Sequence, residues 1–126
     1  MITHLHAATI VVSDQDKAID YFVNVLGFEN TDDVPMGESM RWVTVAPKGA
    51  ATRIALSLPG WYTKKPSLEM GINTAIAFAV DDMKSTYAEL KKRGVNFKSE
   101  PEMMPWGKPG VWFLDPDNNE FFMAES

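Results

Sequence analysis

An α+β fold is what this sequence predicts, one domain built from a single pattern used twice. Three observations carry the prediction. A strand-like segment runs into an acidic cap, an amphipathic helix and a glycine stop; the same run recurs in the second half of the chain; and short strand-like segments follow each helix.

The first segment, Leu5 to Val12, alternates with a period of two, which puts Ala8, Ile10 and Val12 on one face and Ala7, Thr9 and Val11 on the other. Ser13 or Asp14 then offers a short side-chain oxygen to the unpaired N–H groups of a helix from Gln15 to Leu26. Gly27 supplies the left-handed stop. Ala18, Phe22 and Val25/Leu26 give that helix an apolar stripe to bury against a sheet. Strands are expected at Phe28–Thr31, Arg41–Ala46 and Thr52–Leu58, parted by turns at Pro35-Met36-Gly37 and Pro47-Lys48-Gly49 and ended by Pro59-Gly60. From Asn73 the order restarts: a strand to Val80, a cap at Asp81-Asp82, a helix to Arg93, a stop at Gly94 and short strands beyond it. Val111–Leu114 and Glu120–Ala124 flank Asp115-Pro116-Asp117-Asn118-Asn119, which reads as a β-hairpin turn because Asn tolerates positive φ. The chain thus divides into a module at 1–60, a module at 72–126 and a connector at 61–71 that contains Pro66.

Composition narrows the chemistry. With 126 residues, 45% hydrophobic and 23% charged, the chain suits one domain with a real core, not a disordered or coiled-coil protein. A net charge of -5 argues against nucleic acid or an anionic membrane as partner. No cysteine and only two histidines, His4 and His6, exclude disulfides, thiolate metal sites and cysteine nucleophiles, so any metal would rely on carboxylates. The N-terminus has no leader pattern and no apolar run reaches about 18 residues, which makes a cytoplasmic protein the expectation. Neither a phosphate-binding glycine loop nor a nucleophile elbow is present.

Three stretches together resemble the vicinal oxygen chelate superfamily, the glyoxalase and bleomycin-resistance proteins. They are the Val12-Ser13-Asp14 helix opening, Ala18-Ile19-Asp20-Tyr21-Phe22 running into Leu26-Gly27-Phe28, and the closing Asp115-Pro116-Asp117-Asn118-Asn119-Glu120-Phe121-Phe122. The likeness covers essentially the whole chain. It implies paired βαβββ modules whose curled mixed sheets surround a shared cleft, usually completed in a homodimer. For the superfamily's enzymes it further implies one divalent metal held by His and Glu from the first and last strands of each module. Carried over position by position, those ligands fall on Ala7, on Ala75, at or near Ala55, and on Phe122. A methyl or phenyl group has no lone pair to give a cation, so the shared metal site is expected to be absent.

In the second-module strand Ile76, Phe78 and Val80 form a bulky face, and Asn73, Ala75, Ala77 and Ala79 a small one. Small faces lining a cleft would leave it roomy and apolar, suited to a flat hydrophobic ligand, while sheet-on-sheet packing accounts for them equally well. Trp42, Trp61, Trp106 and Trp112 supply flat walls for aromatic stacking, with core filling the plainer role for at least one of Trp42 and Trp112. Met36, Met40, Met70, Met103 and Met104 fall in expected loops and suit an adaptable surface, a sheet edge or a dimer interface. Arg41 and Arg53, on inner strands, are candidates to clamp an anion, and Ser57 or Tyr62 to position a carbonyl. Glu120 alternates with Phe122 and is the candidate partner for a cationic ligand or a general base, with plain exposure at a hairpin end set against it. His4 and His6 form an alternative metal set with Glu120 or Glu125, although strand parity puts His6 on the Ala8 side, away from Ala7, unless a bulge intervenes. Lys91-Lys92-Arg93 complements the dipole at a helix end and is read as structural.

The leading reading is a metal-free, homodimeric protein without a cofactor that sequesters or senses a small hydrophobic or aromatic compound. Its expected binding residues are Ala7, Thr9, Trp42, Arg53, Ala55, Ser57, Trp61, Ala75, Ala77, Trp106, Trp112 and Phe122, and the net negative charge modestly favours a cationic ligand. Two alternatives stay open. One is a glyoxalase-like lyase or isomerase, or a dioxygenase, with a divalent metal relocated to His6 and Glu120; the other is an interaction module without a ligand.

Overall fold

The computed structural model describes residues 1–61 and 69–126 and divides the chain into two units, Met1–Met70 and Gly71–Ser126. The first unit runs β1 (Ala7–Val11), α1 (Gln15–Asp20), a π-helical turn (Tyr21–Val25), β2 (Glu29–Pro35), β3 (Arg41–Ala46) and β4 (Arg53–Ser57). Its sheet has the order β1-β4-β3-β2, with β1 parallel to β4 and the other pairs antiparallel. The Asp14 side chain accepts from the Lys17 N–H and so starts α1 as the sequence predicts.

The helix expected over Gln15–Leu26 is α-helical only to Asp20. It then widens, the Leu26 N–H donating to the Tyr21 carbonyl at 3.0 Å. The β-branched Val23 and Val25 are weak α-formers, and the wider turn buries Tyr21 and Phe22 side by side with their rings edge to face at 5.5 Å. β2 also departs from expectation, running on to Pro35 with a bulge between Asn30 and Asp32. Asn and Asp are poor strand formers, but at a sheet edge their charge and polarity discourage pairing with another chain. Ile10, Val12, Val43, Val45, Ile54 and Leu56 make the buried core of this unit with Ala18 and Phe22. Gln15 adds a link that the apolar pattern does not reveal. Its buried Nε2 donates to the carbonyls of Arg41 and Leu56, tying the start of α1 to β3 and β4.

The second unit runs β5 (Asn73–Val80), α2 (Met83–Lys92), β6 (Asn96–Phe97), β7 (Glu102–Met103), β8 (Pro109–Leu114) and β9 (Glu120–Glu125). Its order β5-β9-β8-β6, with β7 also on β8 and β5 parallel to β9, follows the plan of the first sheet. Two carboxylates hold the start of α2: Asp82 accepts from the Ser85 N–H, and Glu125 accepts from the Met83 N–H at 2.9 Å. Phe113 and Phe121 stack in the core, the half-buried Phe78 and Phe97 pack against Phe113 at a tilt, and Phe97 also meets Tyr87 at 4.6 Å. At the β8–β9 turn Asn118 takes φ +63°, as expected, and the buried Asp115 accepts from the backbone of Asp117 and Asn119. Burial pushes the Asp115 carboxyl above its ordinary range, against the pull of those hydrogen bonds.

Three expectations need correction. Leu5 and His6 lie before β1, which starts at Ala7. Met103 is on a strand, because β7 finds a partner in β8. Trp42 and Trp112 are both half-buried, and neither fills the core, since each stands on the sheet face opposite the helix. The small and bulky faces of β5 alternate as expected, but its pairing register shifts: Asn73 pairs with Glu120 and Ala77 with Phe122, while Ala75 takes φ +57° with its N–H held by the Asn73 side chain.

Candidate functional site

Both sheets pack one face on their helix, so the chemistry is to be sought on the other face. In the second unit that face is aromatic. Trp112 and Phe122 are cross-strand partners with ring centroids 4.9 Å apart, and Trp106, from the loop before β8, meets Phe122 edge-on at 6.3 Å. Trp106 is 61% exposed, and the other two rings are half-buried. Gly110 explains how Phe122 lies: a Cβ at position 110 would fall on the Phe122 ring and 3.1 Å from the Met104 side chain. The ring therefore rests on bare backbone. Ala77 pairs with Phe122 on β5 and, with Ala79, is exposed, so small methyls border the rings.

At one end of the same face Glu120, opposite Leu114, accepts from Lys98 Nζ at 2.6 Å. Its side chain is 23% exposed, so the carboxylate is more sheltered than a hairpin end would leave it. Ala75 sits in the bulge of β5 and is exposed.

The first unit's face is built differently. One row across the sheet reads Thr9, Ala55, Thr44 and Asp32, each opposite the next. Thr44 is fully buried, with its hydroxyl 2.6 Å from the Thr31 hydroxyl and 2.6 Å from Asp32 Oδ2. Arg53, opposite Ala7, reaches the same Asp32 oxygen through Nη1 at 3.2 Å. Ala55 and Ser57 are buried, and the Ser57 hydroxyl donates to the Leu58 carbonyl. The cluster of Asp32, Thr31 and Thr44 is missed by sequence reasoning, since a β2 ending at Thr31 cannot place Asp32 beside β3. Val34, an apolar β-branched residue after the polar pair Asp32-Asp33, is the one signal that the strand continues past Thr31.

Arg41 belongs elsewhere. It faces the helix side of the sheet, where Nε and Nη2 donate to the two oxygens of Asp33 and Nη1 to Asp16. This arrangement holds the Asp33 carboxyl below its ordinary range and the Arg41 guanidinium above its own. Trp61 lines a hollow of about 410 Å³ with Gln15, Met40, Arg41 and Leu58, apart from Thr9 and Ala55. His4 and His6 are exposed, with ring centroids 6.5 Å apart, and the His6 carbonyl accepts from the Arg53 N–H. Among the described residues no three His, Asp or Glu side chains gather as a metal would require. Tyr62 lies outside the described residues, as does Pro66 with most of the connector. No helix among the described residues is long and apolar enough to cross a membrane.

Comparison with known proteins agrees with this architecture. Residues 4–122 match the family described as the Glyoxalase/Bleomycin resistance protein/Dioxygenase superfamily. A crystal structure of a member of that superfamily from Sphaerobacter thermophilus DSM 20745 superposes with a TM-score of 0.92 at 48% identity, covering 99% of this chain and 98% of that one. TnmS3, an antibiotic binding protein from Streptomyces sp. CB03234, superposes with a TM-score of 0.84 at 34% identity, over 98% of this chain and 96% of its own. The Bacillus subtilis (strain 168) protein YetH is 38% identical over 128 residues, covering 99% of this chain and 100% of that protein.

Proposed function

This chain belongs to the glyoxalase/bleomycin resistance protein/dioxygenase superfamily, and from that premise we propose that it binds a small hydrophobic or aromatic compound without a metal, to sequester or sense it. The observation that carries the reading is the half-exposed array of Trp106, Phe122 and Trp112 with alanines beside it. Rings kept partly in water by a rigid sheet are poised to stack on a flat ligand, which gains from burial without first reordering the protein. That one relative is an antibiotic binding protein supports a small-molecule ligand. So do Ala7, Ala75, Phe122 and the position at or near Ala55, which offer no lone pair where the resemblance places the metal ligands of the superfamily's enzymes. We further propose that the working assembly is a homodimer.

Tryptophan fluorescence, titrated with a panel of polycyclic aromatic compounds, tests the reading. At least one compound is expected to quench at micromolar concentration and to raise the melting temperature. Phe122→Ala is expected to weaken that binding about tenfold or more, in line with the loss of an aromatic anchor. Gly110→Ala, which displaces the ring while keeping it, is expected to do the same. Unchanged binding in both variants overturns the site, and a panel without a binder overturns the function. One tightly held divalent ion per chain, or turnover that depends on added Ni, Zn, Fe or Mn, would replace it with the metal-dependent alternative.

A further inference from the structure

The aromatic face of the second unit ends in a charged pair, and strand register shows where. Ala77, Phe122 and Trp112 follow one another across β5, β9 and β8, and the N–H of Lys98, just beyond β6, donates to the Trp112 carbonyl at 3.0 Å. Lys98 therefore closes that row. Glu120 stands two residues before Phe122 on β9 and shares its face. The contact between Lys98 Nζ and Glu120 Oε1, 2.6 Å long, thus spans β8 on the side that carries Trp112.

Stability does not account for the pair. An ion pair that water reaches adds little to a fold, and Glu120, with 23% of its side chain exposed, gives up much of its hydration to make this one. Its position is fixed through the backbone on the side away from Lys98: the Glu120 N–H donates to the Ile72 carbonyl at 2.9 Å, and its carbonyl accepts from the Thr74 hydroxyl at 2.7 Å. An ammonium has three N–H groups and a carboxylate two oxygens, and the contact uses one of each. Among the described residues no other side chain takes up the remainder, so a donor and an acceptor stand side by side at the edge of the rings, with their charges cancelling.

We propose that the Lys98–Glu120 pair is the polar end of the ligand site and recognises a neutral aromatic compound that carries a hydrogen-bond acceptor and a donor on one edge, as an aromatic carboxamide does. With its ring on Trp112 and Phe122, such a ligand gives its carbonyl to Lys98 Nζ and its N–H to the Glu120 carboxylate. Charged ligands are selected against. An ammonium is repelled by Lys98 and a carboxylate by Glu120, and neither takes one partner without stripping the other of its counter-charge. The net charge of -5 implies a cationic preference, but that diffuse field is screened beyond about 8 Å at physiological salt, whereas the pair acts in contact.

The inference rests on the proposed function for the aromatic part of the site, and the test separates the two. The whole protein is titrated with naphthalene-2-carboxamide, methyl 2-naphthoate, naphthalene-2-carboxylate and 2-naphthylmethylammonium, with calorimetry reading affinity and the carbon NMR signal of Lys98 Cε reading location. The carboxamide is expected to bind at least tenfold more tightly than each of the other three and to shift the Lys98 signal saturably. Lys98→Met is expected to abolish that preference and favour the ammonium, and Glu120→Gln to favour the carboxylate, opposite changes that a merely structural pair would not produce. The wild-type ranking depends on neither variant folding. A carboxamide no tighter than the ester, with Lys98 unmoved, overturns the inference and leaves the proposed function standing, as does a charged probe that outbinds the carboxamide. A carboxamide preference that survives both substitutions overturns the assignment to this pair. If no naphthalene compound binds, the proposed function fails and the inference with it.

Discussion

Arg41 and Arg53 are alike in the chain, each opening an inner strand, and among the described residues they differ in the acids that hold them, Asp33 and Asp16 for Arg41 and Asp32 for Arg53. For Arg41 the consequence is a dependence of stability on pH. Because the guanidinium holds the Asp33 carboxyl below its ordinary value of 3.8, the pair stabilises the fold above that pH and loses its contribution as pH falls through the lower folded value. The Asp33 side chain is 39% exposed, so solvent screening limits the effect to about 1 kcal/mol or less. Urea unfolding at neutral pH should find Asp33→Asn slightly less stable than the wild type, with the difference narrowing as pH falls below 3.8. A gap that persists or widens in acid would show that the stabilisation does not come from the ionised pair. At this same scale the sequence is ambiguous. An arginine on a strand is visible; the partners that occupy it come from α1 and β2 and are not.

Elements were legible where local chemistry decides them. The caps at Asp14 and Asp82, the glycine stops and the strand from Asn73 to Val80 stand where side-chain oxygens, positive φ and alternation put them. Elements shaped by their neighbours were not. The π-helical turn answers to the burial of Tyr21 and Phe22, and the length of β2 to its pairing with β3. The break in β5 is the plainest case, since four residues there span what β9 covers in two and Ala75 is forced to φ +57°. For a residue with a Cβ that conformation costs about 1–2 kcal/mol. Ala75→Gly is therefore expected to stabilise the protein by about 0.5–1 kcal/mol once glycine's greater freedom in the unfolded chain is deducted. A destabilised variant in chemical denaturation would mean that the bulge is not strained.

For the whole molecule, the edge strands, the half-buried tryptophans and the exposed Met103 bear on assembly. The proposed homodimer predicts a mass near twice 14.1 kDa by light scattering at micromolar concentration, and a melting temperature that rises with protein concentration. A single-chain mass at all concentrations would exclude it. By itself the sequence determined the α+β class, the order of strands and helices used twice, their caps and stops, and the family the chain resembles. Each of these depends on residues a few positions apart, whose hydrogen bonds and apolar periods are local. Only the tertiary structure decided that Phe122 lies over Gly110 beside Trp106 and Trp112, that Asp32 joins Thr44 and Arg53, and that Arg41 is held by both Asp33 and Asp16. The reason is physical: whether a ring is shelved or a charged donor satisfied depends on groups brought together from distant strands, and strand register sets those meetings, which no local pattern fixes.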